Sequence, residues 1–168
     1  HGIRAAEDDG HAAKVDIDVE RLTIVAQNPA ETAIKVSDGA LVDVNASDTA
    51  NINGQVLAEL DSTVKLSGGT VNVTSFEDAL DAVGGTISVD AKNVNLVSED
   101  SDGIQAYDAN ISVNGDNVTV QGKSFGIKSV AENTSSVEVA GGNITIIGDE
   151  GAIGAFESAK DNAGNDTY

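Results

Sequence analysis

The chain has 168 residues and a formal net charge of −19, with 28 acidic side chains against nine basic ones. So few cations cannot neutralise a phosphate backbone or an anionic lipid surface, which argues against nucleic acid and against direct membrane binding. Three Phe, two Tyr, no Trp and no Met cannot fill an ordinary globular core, while 40% hydrophobic content is too high for a wholly disordered chain.

From the N-terminus, short triplets of alternating apolar, outward and apolar or small residues recur in a fixed order, as expected of strands with one buried face. The first rung reads Ile3-Arg4-Ala5, Val15-Asp16-Ile17 and Leu22-Thr23-Ile24. The second reads Ile34-Lys35-Val36, Val42-Asp43-Val44 and Ala50-Asn51-Ile52, and the third Leu57-Ala58-Glu59, Val64-Lys65-Leu66 and Val71-Asn72-Val73. The fourth continues with Leu80-Asp81-Ala82, Ile87-Ser88-Val89 and Val94-Asn95-Leu96. The fifth is Ile104-Gln105-Ala106, Ile111-Ser112-Val113 and Val118-Thr119-Val120. The sixth is Ile127-Lys128-Ser129, Val137-Glu138-Val139 and Ile144-Thr145-Ile146, and Ile153-Gly154-Ala155 opens a seventh.

A period of roughly 23 residues is the mark of a solenoid, in which each rung buries its apolar face only by stacking on its neighbours. Turn-forming residues such as Asn114-Gly115-Asp116-Asn117 separate the second and third triplets. Longer insertions fall between the first and second triplets, around Glu7 to Lys14 and Ala131 to Ser136. The expected fold is therefore all-β: a right-handed parallel β-helix of about seven rungs with three short strands each. Residues 1–159 form its single domain, and 160–168 form a polar tail expected to fray. Because the chain opens inside a repeat, it reads as a fragment of a longer solenoid.

Competing folds fail on particular points. A β-sandwich would not repeat one three-strand order at near-constant length. Gly68-Gly69, Gly84-Gly85 and Gly141-Gly142 run into strands without the Gly-x-Asp continuation of calcium-binding nonapeptide repeats.

Register then fixes what faces water. The first strands present Arg4, Lys35, Ala58, Asp81, Gln105, Lys128 and Gly154, and the second present Asp16, Asp43, Lys65, Ser88, Ser112 and Glu138. Neither row has a uniform chemistry. The third strands present Thr23, Asn51, Asn72, Asn95, Thr119 and Thr145, an unbroken row of Asn and Thr. Two readings stand for it: a flat hydrogen-bonding face for a ligand, or amide and hydroxyl ladders that serve the strands themselves. A further row three residues after each leading aliphatic (Leu60, Val83, Tyr107, Val130, Phe156) reads as corner packing.

Acids gather before the first strands, at Glu31, Glu77-Asp78, Glu99-Asp100-Ser101-Asp102 and Asp149-Glu150. They read as a solvated acidic edge. Asp100 and Asp102 are the candidate Ca²⁺ ligands within it, for non-specific binding only, since no fixed ligand spacing appears. No cofactor is expected. The seven Asn-x-Ser/Thr sites carry no information, because strand periodicity and composition generate them by chance.

Glycoside chemistry needs two carboxylates at a set separation, one with a raised pKa. Asp81 and Asp102, on neighbouring rungs, are the acids that approach this requirement. Rungs of this size leave little room for a cleft, and His1 and His11 both sit in the irregular first rung. A non-catalytic chain is expected.

The phrase Asp102-Gly103-Ile104-Gln105-Ala106, continued by Ile111-Ser112-Val113-Asn114-Gly115 and Val118-Thr119-Val120, resembles the repeats of bacterial autotransporter adhesin passenger domains. That resemblance implies a secreted rod at the bacterial cell surface. It also implies adhesion to a host or bacterial glycan or protein, or association with its own copies. The family binds through variable faces, so no functional residue transfers. The alternative within the same architecture is a polysaccharide-active enzyme of lyase or glycosidase type.

Overall fold

β-branched residues on every second position favour extended backbone, and one rung's apolar face can be buried only by the next. The computed structural model describes residues 2–6, 11–28, 30–157, 159–160 and 166–167, and it shows a parallel β-solenoid with no helix among them. Short and long strands alternate along the chain. The short ones are β1 (Ile3–Ala5), β3 (Thr32–Val36), β5 (Gln55–Glu59), β7 (Leu80–Val83), β9 (Ile104–Tyr107), β11 (Phe125–Ala131) and β13 (Gly151–Glu157). The long ones are β2 (Lys14–Val25), β4 (Leu41–Asn53), β6 (Thr63–Ser75), β8 (Thr86–Ser98), β10 (Asn110–Gly122) and β12 (Ser136–Gly148). Each set forms one parallel sheet in sequence order, seven-stranded and six-stranded respectively. The chain thus makes about six coils among the described residues, close to the seven expected rungs.

The second and third triplets of each rung are not separate strands. They run on as one strand of 12 or 13 residues, yet the corner between them survives in the burial pattern. In β8 the buried residues are Ile87, Val89 and Ala91, then Val94, Leu96 and Ser98. Alternation slips once, at Lys92-Asn93, where two successive residues face outward. A pleated strand with one inner face can do this only by turning. Each coil therefore keeps three sides, the long strand supplying two arms.

In the second rung the step between triplets is one residue longer, and there β4 shifts register between Ala46 and Thr49. A bulge at Ser47-Asp48 absorbs the extra residue without disturbing either arm. Opposite it lie Gly68, with φ of +139°, and Gly69. A Cβ on Gly68 would run into the Ala46 backbone, and one on Gly69 would meet the Asp48 carbonyl oxygen. The glycine pair is the mould of the bulge.

The core is a narrow stack of Val, Ile, Leu and Ala, with Ile34, Val56, Leu80 and Ile104 fully buried in one column. That column corrects the expected register of the third rung. Ile34 pairs with Val56, and Leu57 pairs with Lys35 on one side and Asp81 on the other. Val56-Leu57-Ala58 is the true phrase: Ala58 is fully buried in the core, and Leu57 takes the outward register position, where it is covered to 8% exposure. By the same shift Glu59, not Leu60, pairs with Val83, and Leu60 sits 60% exposed at a turn with φ of 51°. Leu57 was an ambiguous choice because Val56 and Leu57 are adjacent aliphatics.

The remaining corner row, Val83, Tyr107, Val130 and Phe156, is in register. Tyr107 donates its hydroxyl to Glu132 at 2.8 Å, and Phe156 packs edge-to-face on Phe125 with centroids 5.5 Å apart. Of the expected polar tail, Lys160 pairs antiparallel with Asp166. Thr167 of the tail pairs likewise with Ala159; residues 161–165 and 168, His1 and residues 7–10 of the first insertion lie outside the described residues.

Candidate functional site

Outward positions on the second arm of the long strands are set by a backbone that the core holds in register. Thr23, Asn51, Asn72, Asn95, Thr119 and Thr145 fall in one pairing row across all six long strands. Thr23, Asn51, Asn95 and Thr145 are exposed, and Asn72 and Thr119 are half-buried. Within the row, Asn95 Nδ2 donates to Asn72 Oδ1 at 2.8 Å, and Asn72 Nδ2 donates to Asn51 Oδ1 at 2.9 Å. The ladder reading of the row is therefore correct at its centre. It leaves each amide a second N–H and a second acceptor lone pair, so a ladder can also be a binding face.

Two further rows flank it. On the corner side stand Arg21, Thr49, Thr70, Asn93, Asn117 and Asn143. Here a second ladder runs: Asn143 donates to Asn117 at 2.9 Å, Asn117 to Asn93 at 2.9 Å, and Asn93 to Thr70 at 3.4 Å. Asn117 and Asn143 open two of the sequons set aside as chance. The signal for this ladder was present in the sequence, as an Asn or Thr two residues before every third-strand outward residue except Thr23, where Arg21 stands. On the far side stand Val25, Asn53, Thr74, Val97, Gln121 and Ile147.

Across these three rows Arg21 is the only charged residue, and it is paired with Glu20 and Asp48. Strands about 4.8 Å apart make the arm a close-spaced lattice of amides and hydroxyls. Over the first three coils it dips into an open depression of about 400 Å³ lined by Thr23, Asn51, Asn53, Asn72 and Thr74, with Val25 and Glu99 at its margin.

The acids divide. Glu31, Glu77, Glu99, Asp100, Asp149 and Glu150 are exposed, as expected of a solvated edge. Asp78 and Asp102 are not; they are 6% and 2% exposed. Both stand two residues before a leading aliphatic, where the chain turns into the short strand. Asp78 Oδ1 accepts from the Ser101 hydroxyl at 2.6 Å and from the Asp102 amide at 2.8 Å, and its Oδ2 from Gln105 at 3.3 Å. Asp102 Oδ1 accepts from the Phe125 amide at 2.9 Å, while Oδ2 faces Lys128 Nζ at 3.6 Å. Each clamps the turn of the next coil. Asp100 and Asp102 thus belong to different surroundings, and no group of three or more potential ligands is placed to hold a metal among the described residues.

Asp81 lies on the outward row of the short strands. Its Oδ2 accepts from Gln55 at 3.2 Å, and its Oδ1 is buried without a partner. Burial first, then the Asp78 carboxylate, push its pKa up to about 7; burial likewise raises Asp78. His11 is exposed and far in sequence from this cluster.

No protein-family model, no curated protein and no solved structure matches the chain.

Proposed function

We propose that this chain is a non-catalytic rod at a bacterial cell surface that adheres to surface glycan or protein, or associates with its own copies, through the Asn/Thr face. The carrying observation is that face itself: three rows of mostly amide and hydroxyl groups with one charged residue, in a chain of net charge −19. With a net charge of −19 carried by the rest of the chain, an uncharged arm is where close approach of two such rods costs least. It offers many weak hydrogen bonds at a fixed spacing, which suits a neutral hydroxyl-rich polymer or a second ladder of the same kind. The resemblance to autotransporter adhesin passengers supports the same reading and supplies the surface location. No described helix is long and apolar enough to cross a membrane. The test is a glycan array together with a sedimentation assay of self-association, on the wild type and on a variant with the Asn/Thr row changed to Lys. Binding that survives the change would rule out this face.

The raised pKa of Asp81 favours one other reading, a polysaccharide-active enzyme with Asp81 as general acid. Against it, every oxygen of Asp78 and Asp102 is already held by a turn amide, a side chain or Lys128. Incubation with a panel of acidic and neutral polysaccharides decides it: release of unsaturated or reducing ends would establish the enzyme.

A further inference from the structure

The outward row of the short strands runs Arg4, Lys35, Leu57, Asp81, Gln105, Lys128, Gly154. Asp81 sits midway between two lysines, separated from each by one neutral residue. Each lysine faces a different carboxylate. Lys35 Nζ is 2.7 Å from Glu59 Oε2, and Lys128 Nζ faces Asp102 at 3.6 Å. The acids acting on Asp81 are Asp78 from the turn before β7, Glu59 of β5 and Asp102 from the turn before β9, with Glu77 acting in turn on Asp78. Lys35 of β3 and Lys128 of β11 are the cations, with Gln55 and Gln105 the neutral donors between. Four inner carboxylates therefore share two lysines. Two of the four, Asp78 and Asp81, have no lysine facing them, and of these two only Asp81 has a buried, unpartnered oxygen.

We propose that this carboxylate wall is a proton-operated clasp, which holds the middle coils of the solenoid together while Asp81 is protonated and loosens them when it ionises. A proton on Asp81 leaves its buried Oδ1 uncharged, removes one of two uncompensated charges and lets Asp78 keep its clamp on Ser101 and Asp102. Ionisation places a second bare charge beside Asp78 in a poorly solvated wall, which is costly. The sign follows from the folded state's higher proton affinity. Asp81 has an ordinary value of 3.8 and rises to about 7 on folding. Its contribution is complete below pH 3.8, declines as pH rises and is gone above about 7. The clasp rests on the fold and is independent of the Asn/Thr face.

Thermal unfolding of the full chain between pH 5 and pH 8.5 tests it. The wild type is expected to lose roughly 5 °C in Tm over that range. Asp81→Asn, neutral at every pH, should show most of that slope removed and should be more stable than the wild type at pH 8.5. Asp100→Asn, which removes an exposed charge, should keep the wild-type slope. An Asp81→Asn slope equal to that of the wild type would overturn the proposal. Should Asp81→Asn not fold, the carboxyl ¹³C shift of Asp81 in the wild type decides. A midpoint near 7 supports the clasp, and one near 4 overturns it.

Discussion

Asn95 donates its side-chain amide to Asn72 at 2.8 Å, one coil away, and Asn72 repeats the bond to Asn51. The same atoms that would meet a partner thus also tie three coils together. Changing Asn72 to Ala breaks both bonds while leaving the neighbouring amides in contact with water. We expect a loss of about 1–2 kcal/mol in urea unfolding, since a hydrogen bond is worth about 0.5–1.5 kcal/mol net. A loss near zero would mean that the ladder contributes nothing to the fold.

The bulge and its mould give a sharper expectation. Gly68→Val puts a branched side chain where the Ala46 backbone already lies, at a φ that β-branched residues avoid. Chemical unfolding should show about 3 kcal/mol of destabilisation or failure to fold. Gly142→Ala, with only the Asp116 carbonyl at 3.1 Å from the added carbon, should cost far less.

The corrected register of the third coil is testable with two neighbouring residues. Ala58 is fully buried in the core, whereas Leu57 lies on the outward row between Lys35 and Asp81, covered to 8% exposure but outside the core stack. Ala58→Lys should abolish folding, because it drives an ammonium into the core. Leu57→Lys should fold, as measured by circular dichroism, and should bring a cation beside Asp81. The opposite order of tolerance would restore the register that the adjacent aliphatics first suggested.

Core packing makes the least surprising prediction. Leu80, fully buried among Val56 and Ile104, should cost about 2–5 kcal/mol when replaced by Ala. A smaller loss would show that a core of slender side chains collapses around the gap.

These cases also mark what could be read from the chain before folding. The triplets at Ile104, Ile111 and Val118 fixed coil, register and outward row together, because period-2 alternation leaves no second solution when one face is buried. Val56-Leu57 defeated the same logic, since two adjacent aliphatics satisfy either phase. Asp78 and Asp102 defeated it differently. Acids in a turn look solvated in sequence, and only stacking shows that the next coil's amide and side chains close over them. The continuous long strand was hidden because a corner of two outward residues and a true turn have the same polar composition.

The most direct measurement compares two faces of one rod carrying equal added charge. One variant changes Asn51, Asn72 and Asn95 to Lys. The other changes Ser67, Ser88 and Ser112 to Lys, on the first arm. Self-sedimentation and glycan-array binding should be lost in the first variant and kept in the second, with both folded by circular dichroism. Equal loss in both, or loss only in the second, would contradict the assignment of function to the Asn/Thr face.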